Sequence, residues 1–437
     1  MSNPSFRTRL KQALFWGVIS AAFIGPGTVT TAAKAGAGFG TQLLWALSFS
    51  TLATLVLQEA AARIPMVSGL NLGEAIAQRF GQQGKKRVGW GLMLVVGFGC
   101  AAYQAGNLLG AASGLQILLP IEARWLVLLM GLLAALMLWQ GGIQRTARLL
   151  GWIVAAMGIL FLVVAFQTPI QVAEVTMGAL VPSIPEGGEL LVIGLIGTTI
   201  VPYNLFLGSG ISQGKDLGTM RWGLGLAVVL GGIISMLILL VGTQVLGEFS
   251  FEALATALSE KTGTYGKALF GLGLFAAGFT SSVTAPLAAA VAGQGLLGKE
   301  NPHWKPEGKA FRSTWAIVLL IGVVFGSLGI PPVPAIIMAQ ALNGLLLPFV
   351  VVFLYLIVND ARVTPTAHRN PVWLNGLTLL ILGIAIFLGG LNLWRAIIRA
   401  GGEAMANQTP HLGVLGIVAL ILTVGVGVWA NQQNRLS

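Results

Sequence analysis

Two short stretches join helix breakers to residues able to hold an ion: Gly25-Pro26-Gly27-Thr28, and Val201-Pro202-Tyr203-Asn204 with Thr198 and Thr199 just before it. A proline inside a helix removes one backbone hydrogen bond and clashes with the preceding turn. The backbone groups it releases become ligands. A helix N-terminus offers free N–H groups and roughly half a positive charge, which suits anions. Released carbonyls suit cations. The side chains beside the break must therefore decide. Thr28, Thr198, Thr199, Tyr203 and Asn204 can all donate hydrogen bonds, and none carries a charge at neutral pH.

The elements that must position these residues are membrane helices. The chain has 437 residues, of which 55% are hydrophobic and 9% charged. A soluble domain carries about 25% charged residues. Its apolar runs reach the roughly 20 residues that a crossing helix needs, and alternating strands of barrel type are absent. The pattern predicts an all-α polytopic protein with about twelve spans, near 12–38, 42–63, 88–112, 124–140, 147–167, 188–212, 222–246, 266–297, 313–330, 333–358, 372–394 and 411–430. With the N-terminus inside, the outer face keeps only Lys34, Arg124, Lys261, Lys267, Arg395 and Arg399 of the 25 Lys and Arg. That bias predicts cytoplasmic termini in a plasma membrane of bacterial inner-membrane type. It also accounts for the +11 charge without a nucleic acid partner. The long first apolar run is expected to remain as a span, not to be cleaved as a signal.

The two breaks fall at corresponding places in two sets of five helices. Matched interruptions point to a transporter site at the interface of inverted repeats. The expected organisation is one transmembrane unit over 1–437, with repeats at 12–167 and 188–358 and two further helices at 372–430. One cysteine, Cys100, excludes an intrachain disulfide and a cysteine metal site. His303, His368 and His411 fall in loops or at a helix edge and read as loop residues. No motif for nucleotide binding or nucleophilic catalysis is present, so neither an enzyme nor a cofactor is expected. Trp45, Trp90, Trp125, Trp152 and Trp373 read as interfacial belt residues. Glu59 and Arg63, four apart, read as a helix ion pair.

Several stretches resemble the Nramp family, proton-coupled importers of divalent transition metals with a LeuT-like fold. These are Gln58–Ile76 (QEAAARIPMVSGLNLGEAI), Ala35–Gly40 (AGAGFG), Ala339–Phe349 (AQALNGLLLPF), and NDARV with NPVWLN in the loop that follows. The resemblance implies a five-plus-five inverted repeat with helices 1 and 6 broken. It also marks departures. The family's Asp-Pro-Gly-Asn is here Gly25-Pro26-Gly27-Thr28, and its Met-Pro-His-Asn is Val201-Pro202-Tyr203-Asn204. Its carbonyl-offering alanine aligns with Thr198, and a first-helix glutamine with Lys34. The Asp and Glu of its proton route align with Gln104 and Asn107. Gln340 aligns with a tenth-helix glutamine that approaches substrate.

Soft or imidazole ligands select transition metals, and these positions have lost them. The expected substrate is therefore a small monovalent anion, bicarbonate foremost, moved by alternating access. Its expected binding residues are Gly25, Gly27, Thr28, Thr198, Thr199, Val201, Tyr203, Asn204 and Gln340. Lys34, Gln104 and Asn107 line the expected access path, Lys34 as an attractor in the outer vestibule or a snorkelling interfacial lysine. No bound metal is expected. Mg²⁺ or another divalent cation on the same scaffold is the alternative, favouring oxygen ligands and retained water. Na⁺ coupling is left open, no protein partner is implied, and the loss of titratable groups argues against proton drive by the family route.

Overall fold

The computed structural model describes residues 24–141, 143–211, 216–298, 301–400 and 412–436. Those residues form helices and no strands. In chain order these are α1 (Pro26–Phe39), α2 (Leu44–Ser68), α3 (Leu72–Arg79), α4 (Gly81–Gln116), α5 (Ala123–Gln140), α6 (Ile143–Ala165), α7 (Val172–Leu180) and α8 (Glu189–Thr199). They continue with α9 (Pro202–Ile211), α10 (Leu217–Gly242), α11 (Phe251–Thr262), α12 (Thr264–Leu297), α13 (Lys309–Ser327), α14 (Pro332–Val358), α15 (Val372–Ala400) and α16 (Leu412–Leu436). Among the described residues eleven segments are long and apolar enough to cross a membrane, α8 and α9 counting together as one. They match the second to twelfth expected spans. Of the first, α1 supplies the part after the break; residues 12–23 lie outside the described residues.

Three short helices were not expected from hydropathy, because none is long or apolar enough to span. One, α3, starts with a capping box. The Asn71 side chain accepts from the Glu74 backbone N–H at 3.0 Å, and the Asn71 N–H donates to Glu74 Oε2 at 2.8 Å. Another, α11, is capped by Ser250, whose Oγ accepts from Ala253 N at 3.0 Å. The third, α7, holds Glu174 in its first turn, where the helix dipole favours it.

Long α4 and α12 lie side by side at the centre, with α13 and α14 also against α4. Against α14 lies α8, and α1 sits among α8, α10, α14 and α4. Glycines set the closest approaches. A side chain at Gly36 of α1 would run into the Leu239 carbonyl of α10, and one at Gly242 of α10 would run into the Ala33 carbonyl of α1. The two backbones therefore touch in both directions, the contact that small residues permit between membrane helices.

Trp90, Trp125, Trp152 and Trp373 are exposed, consistent with a lipid or interfacial setting. Trp45 is not: it is buried, and its Nε1 donates to Ser183 O at 2.7 Å, tying α2 to the segment before α8.

Paired charges gather where α2, α3, α10 and the α14–α15 loop meet. Glu59 accepts from Arg63 at 3.2 Å and from Arg221 at 2.8 Å. Arg63 also donates to the His368 carbonyl and to Asn370 Oδ1. Arg79 donates to Asp360 and, at 3.2 Å, to Leu356 O. Asp360 takes a second partner, Arg362, at 2.9 Å.

Candidate functional site

Both breaks are present. Ile24 and Gly25 are non-helical, and α1 begins at Pro26 with Gly25 as an extended N-cap of φ −88°, ψ 175°. In the second break, α8 ends at Thr199, Ile200 departs to φ −98°, ψ 81°, and α9 begins at Pro202. Each restart puts proline at the first helical position, where its missing N–H costs nothing. Tyr103 of α4 donates its hydroxyl to Gly197 O at 2.7 Å. One carbonyl near the end of α8 is thus held by the scaffold, and a second, Thr199 O, lies 3.3 Å from Thr54 Oγ1, whose proton goes to Ser50 O at 2.7 Å.

The breaks bring Thr28 and Thr198 together: their hydroxyl oxygens are 3.0 Å apart, both side chains buried, although 170 residues separate them in sequence. Gly27 is packed directly against the Gln340 amide of α14, with no room for a Cβ. Gln340 is buried, and its Oε1 has no hydrogen-bond partner among the described residues. Gly25 has room: a Cβ there would lie 3.5 Å from Ser281 Oγ of α12, an ordinary contact. Val201, Tyr203 and Asn204 are buried just past the break. The Tyr203 ring meets Tyr103 edge-on, with centroids 5.6 Å apart.

Other expected site residues lie differently. Thr199 turns its hydroxyl back onto its own helix, donating to Leu195 O at 2.9 Å. Gln104 and Asn107 sit on the α4 face toward α12 and α13. Gln104 donates to Ser282 O at 2.9 Å. Gln104 Oε1 and Asn107 Nδ2 are buried without partners among the described residues. Lys34 is half-buried in the third turn of α1. Sequence reasoning missed Tyr103, Ser281 and Thr31. A signal existed for Ser281, in the polar run Thr280-Ser281-Ser282 with Thr284 inside an apolar helix.

No cluster of three or more His, Cys, Asp or Glu occurs among the described residues. The donors at the break are neutral oxygens. The restarting ends of α1 and α9 bring positive dipole ends, whereas the terminating end of α8 brings a negative one. The field at the site is mixed, with no basic side chain among the residues that meet there.

A family model described as natural resistance-associated macrophage protein-like matches residues 17–395. The chain belongs to the Nramp family. A relative from Klebsiella pneumoniae (strain MGH 78578), "Divalent metal cation transporter MntH", is 26% identical over 414 residues, covering 89% of this chain and 96% of its own. A Nostoc protein of the same description is 29% identical over 424 residues, covering 90% and 92%. Among solved structures, a mutant form of the Eremococcus coleocola manganese transporter superposes with a TM-score of 0.74 at 22% identity, covering 100% of this chain and 97% of the other. Mhp1, a nucleobase-cation-symport-1 family transporter, gives 0.60 at 15% identity, covering 95% and 92%. The fold is thus that of Nramp and LeuT-fold transporters, and the chain is a multi-pass membrane protein of a transporter family.

These relatives overturn the expectation of a small anion, bicarbonate foremost, as substrate and partner. The physical error lay in reading a lost carboxylate as reversed charge. Replacing Asp by Gly25 and Asn by Thr28 leaves neutral, hard oxygen donors, not a cationic pocket.

Proposed function

We propose that this protein is a secondary transporter of a hard divalent cation, Mg²⁺ or Mn²⁺, bound between the broken first and sixth helices with much of its water retained. The observation that carries this reading is the buried set of uncharged oxygens at the break: Thr28 and Thr198 in contact, with the unpartnered Gln340 Oε1 against Gly27. Hard cations take hydroxyl, carbonyl and water oxygens, and Mg²⁺ in particular dehydrates reluctantly. The descriptions of the Nramp relatives support a divalent cargo. With Val201 and Tyr203 in place of thioether and imidazole, soft ions lose their advantage.

Residues 12–167 and 188–358 act as the two inverted repeats, with the helices at 372–430 outside them, and alternating access rocks one bundle against the other. Both termini are cytoplasmic, by the positive-inside bias. Gln104, Asn107 and Tyr203 do not titrate near neutral pH, so an imposed pH gradient does not drive uptake through them.

The test is uptake into proteoliposomes with internal Mg²⁺ and Mn²⁺ indicators, paired with calorimetry on purified protein. Entry of either ion, with Cd²⁺ a weaker competitor than Mg²⁺, is the expected result. A protein that neither admits nor binds any divalent ion would overturn the reading.

A further inference from the structure

Most buried threonines of this fold satisfy their hydroxyls by donating one turn back along the helix. Thr30 donates to Pro26 O at 2.7 Å, Thr54 to Ser50 O at 2.7 Å and Thr199 to Leu195 O at 2.9 Å. That bond is always within reach of a helical threonine. Thr31, fully buried in α1, does not make it. Its Oγ1 has no partner among the described residues. A buried hydroxyl left unpaired is unfavourable, and here the remedy lies in the residue's own helix. Its hydroxyl is therefore left open to a partner other than its own helix.

Its position says what. Thr31 follows Thr28 by three residues, so both lie on one face of α1, and Gly194 precedes Thr198 by four, so both lie on one face of α8. One turn away from the Thr28–Thr198 pair, Thr31 and Gln340 flank Gly194. A Cβ at Gly194 would lie 3.2 Å from Thr31 Cγ2 and 3.8 Å from Gln340 Cβ. From beside Gly194 the Gln340 side chain runs to Gly27, where its amide lies, so it links the level of Thr31 to that of Thr28. Thr31 Oγ1 and Gln340 Oε1, both buried and without partners among the described residues, are hard acceptors.

We propose that Thr31 forms a second rung of the cation site, one turn along α1 from Thr28 and Thr198 and joined to that level by the Gln340 side chain, accepting hydrogen bonds from the water shell of the ion or binding the ion directly. This rests on the divalent-cation reading above and extends it. The rung assigns selectivity to Thr31: a hydroxyl and an amide oxygen favour hard, hydrated ions over soft ones.

The experiment compares Thr31→Val, Thr31→Ser, Thr31→Cys and Thr30→Val in proteoliposomes, with Mg²⁺, Mn²⁺ and Cd²⁺ as probes and melting in detergent as a folding check. Thr31→Val is expected to raise KM for Mg²⁺ about tenfold, and Thr31→Ser to restore it. Thr31→Cys should move the Cd²⁺ to Mg²⁺ uptake ratio toward Cd²⁺ by about tenfold, since a thiol is a softer ligand. A merely structural role would not shift that ratio. Thr30→Val, whose hydroxyl is committed to its own helix, should stay within about twofold. If Thr31→Val folds poorly, the Ser and Cys variants still decide the matter through the ion ratio. An unchanged ratio in Thr31→Cys, with uptake still impaired by Thr28→Val, would overturn the rung and leave the transport reading standing. A wild-type protein that neither binds nor moves a divalent ion would overturn both.

Discussion

Two polar regions of this molecule are built on opposite terms. Where α2, α3, α10 and the α14–α15 loop meet, charge is met by charge: Glu59 holds two arginines, and Asp360 holds Arg79 and Arg362. Around the breaks no charge converges, and buried oxygens of Thr31 and Gln340 stand without protein partners among the described residues. The first region fastens helices. The second, on the function proposed above, is completed by the cation. Unpaired polar groups in a membrane core are expensive, and those of Thr31 and Gln340 lie on the helices that flank the breaks.

The largest expected effect lies in the ionic region. Asp360→Asn leaves Arg79 buried without its counter-charge and should destabilise the protein by about 3–5 kcal/mol, read as a lower melting temperature in detergent. Its pH dependence has a definite sign. Burial opposes the charge of Asp360, but Arg362 and Arg79 outweigh it and hold the carboxyl below its usual value. A group with a depressed folded pKa contributes stability that is full above the unfolded value, about 3.9. That stability is lost as pH falls through the lower, folded value. The gap in stability between wild type and Asp360→Asn should therefore stay constant from neutral pH down to about 4 and close only below it.

Next comes a change that blurs the contrast. Gly25→Asp puts a carboxylate into the neutral region, where its Cβ has ordinary contact with Ser281. Calorimetry should show Mn²⁺ binding tighter by tenfold or more, an order-of-magnitude expectation from ion–carboxylate attraction less desolvation. Unchanged affinity would mean that the ion does not pass close to Gly25.

Smaller effects sharpen the boundary. Glu59→Gln should cost about 1 kcal/mol, because Arg63 keeps the His368 carbonyl and Asn370. Arg221→Ala, removing the half-exposed partner of the same carboxylate, should cost under about 0.5 kcal/mol. Thr199→Val should leave transport kinetics nearly unchanged, since its hydroxyl serves α8. A large loss there would place it among the binding residues after all.

Much of the fold was legible in the sequence, because bilayer thickness forces long apolar runs and two prolines mark the interruptions. The short helices α3, α7 and α11 were not, since their signals are caps such as Asn71 and Ser250, not hydropathy. At the site, Thr28, Thr198, Gly27 and Gln340 were found from the breaks and the resemblance, and the structure brings them together. Thr31 and Tyr103 were missed because an interior Thr or Tyr in an apolar helix carries no periodic signature. Only the packing shows which hydroxyl lacks a partner, or which reaches a carbonyl on another helix. The substrate sign was misread for a related reason: composition shows that a carboxylate is gone, but not which neutral oxygens gather in its place.

The reciprocal glycine contact between α1 and α10 has a mechanical consequence. With Gly36 against one carbonyl and Gly242 against another, the two backbones pack with no side chain between them to act as a cushion. In the alternating access proposed above, a swing of the part of α1 that carries Thr28 and Thr31 is therefore expected to carry α10 along, a helix that supplies none of the proposed ligands.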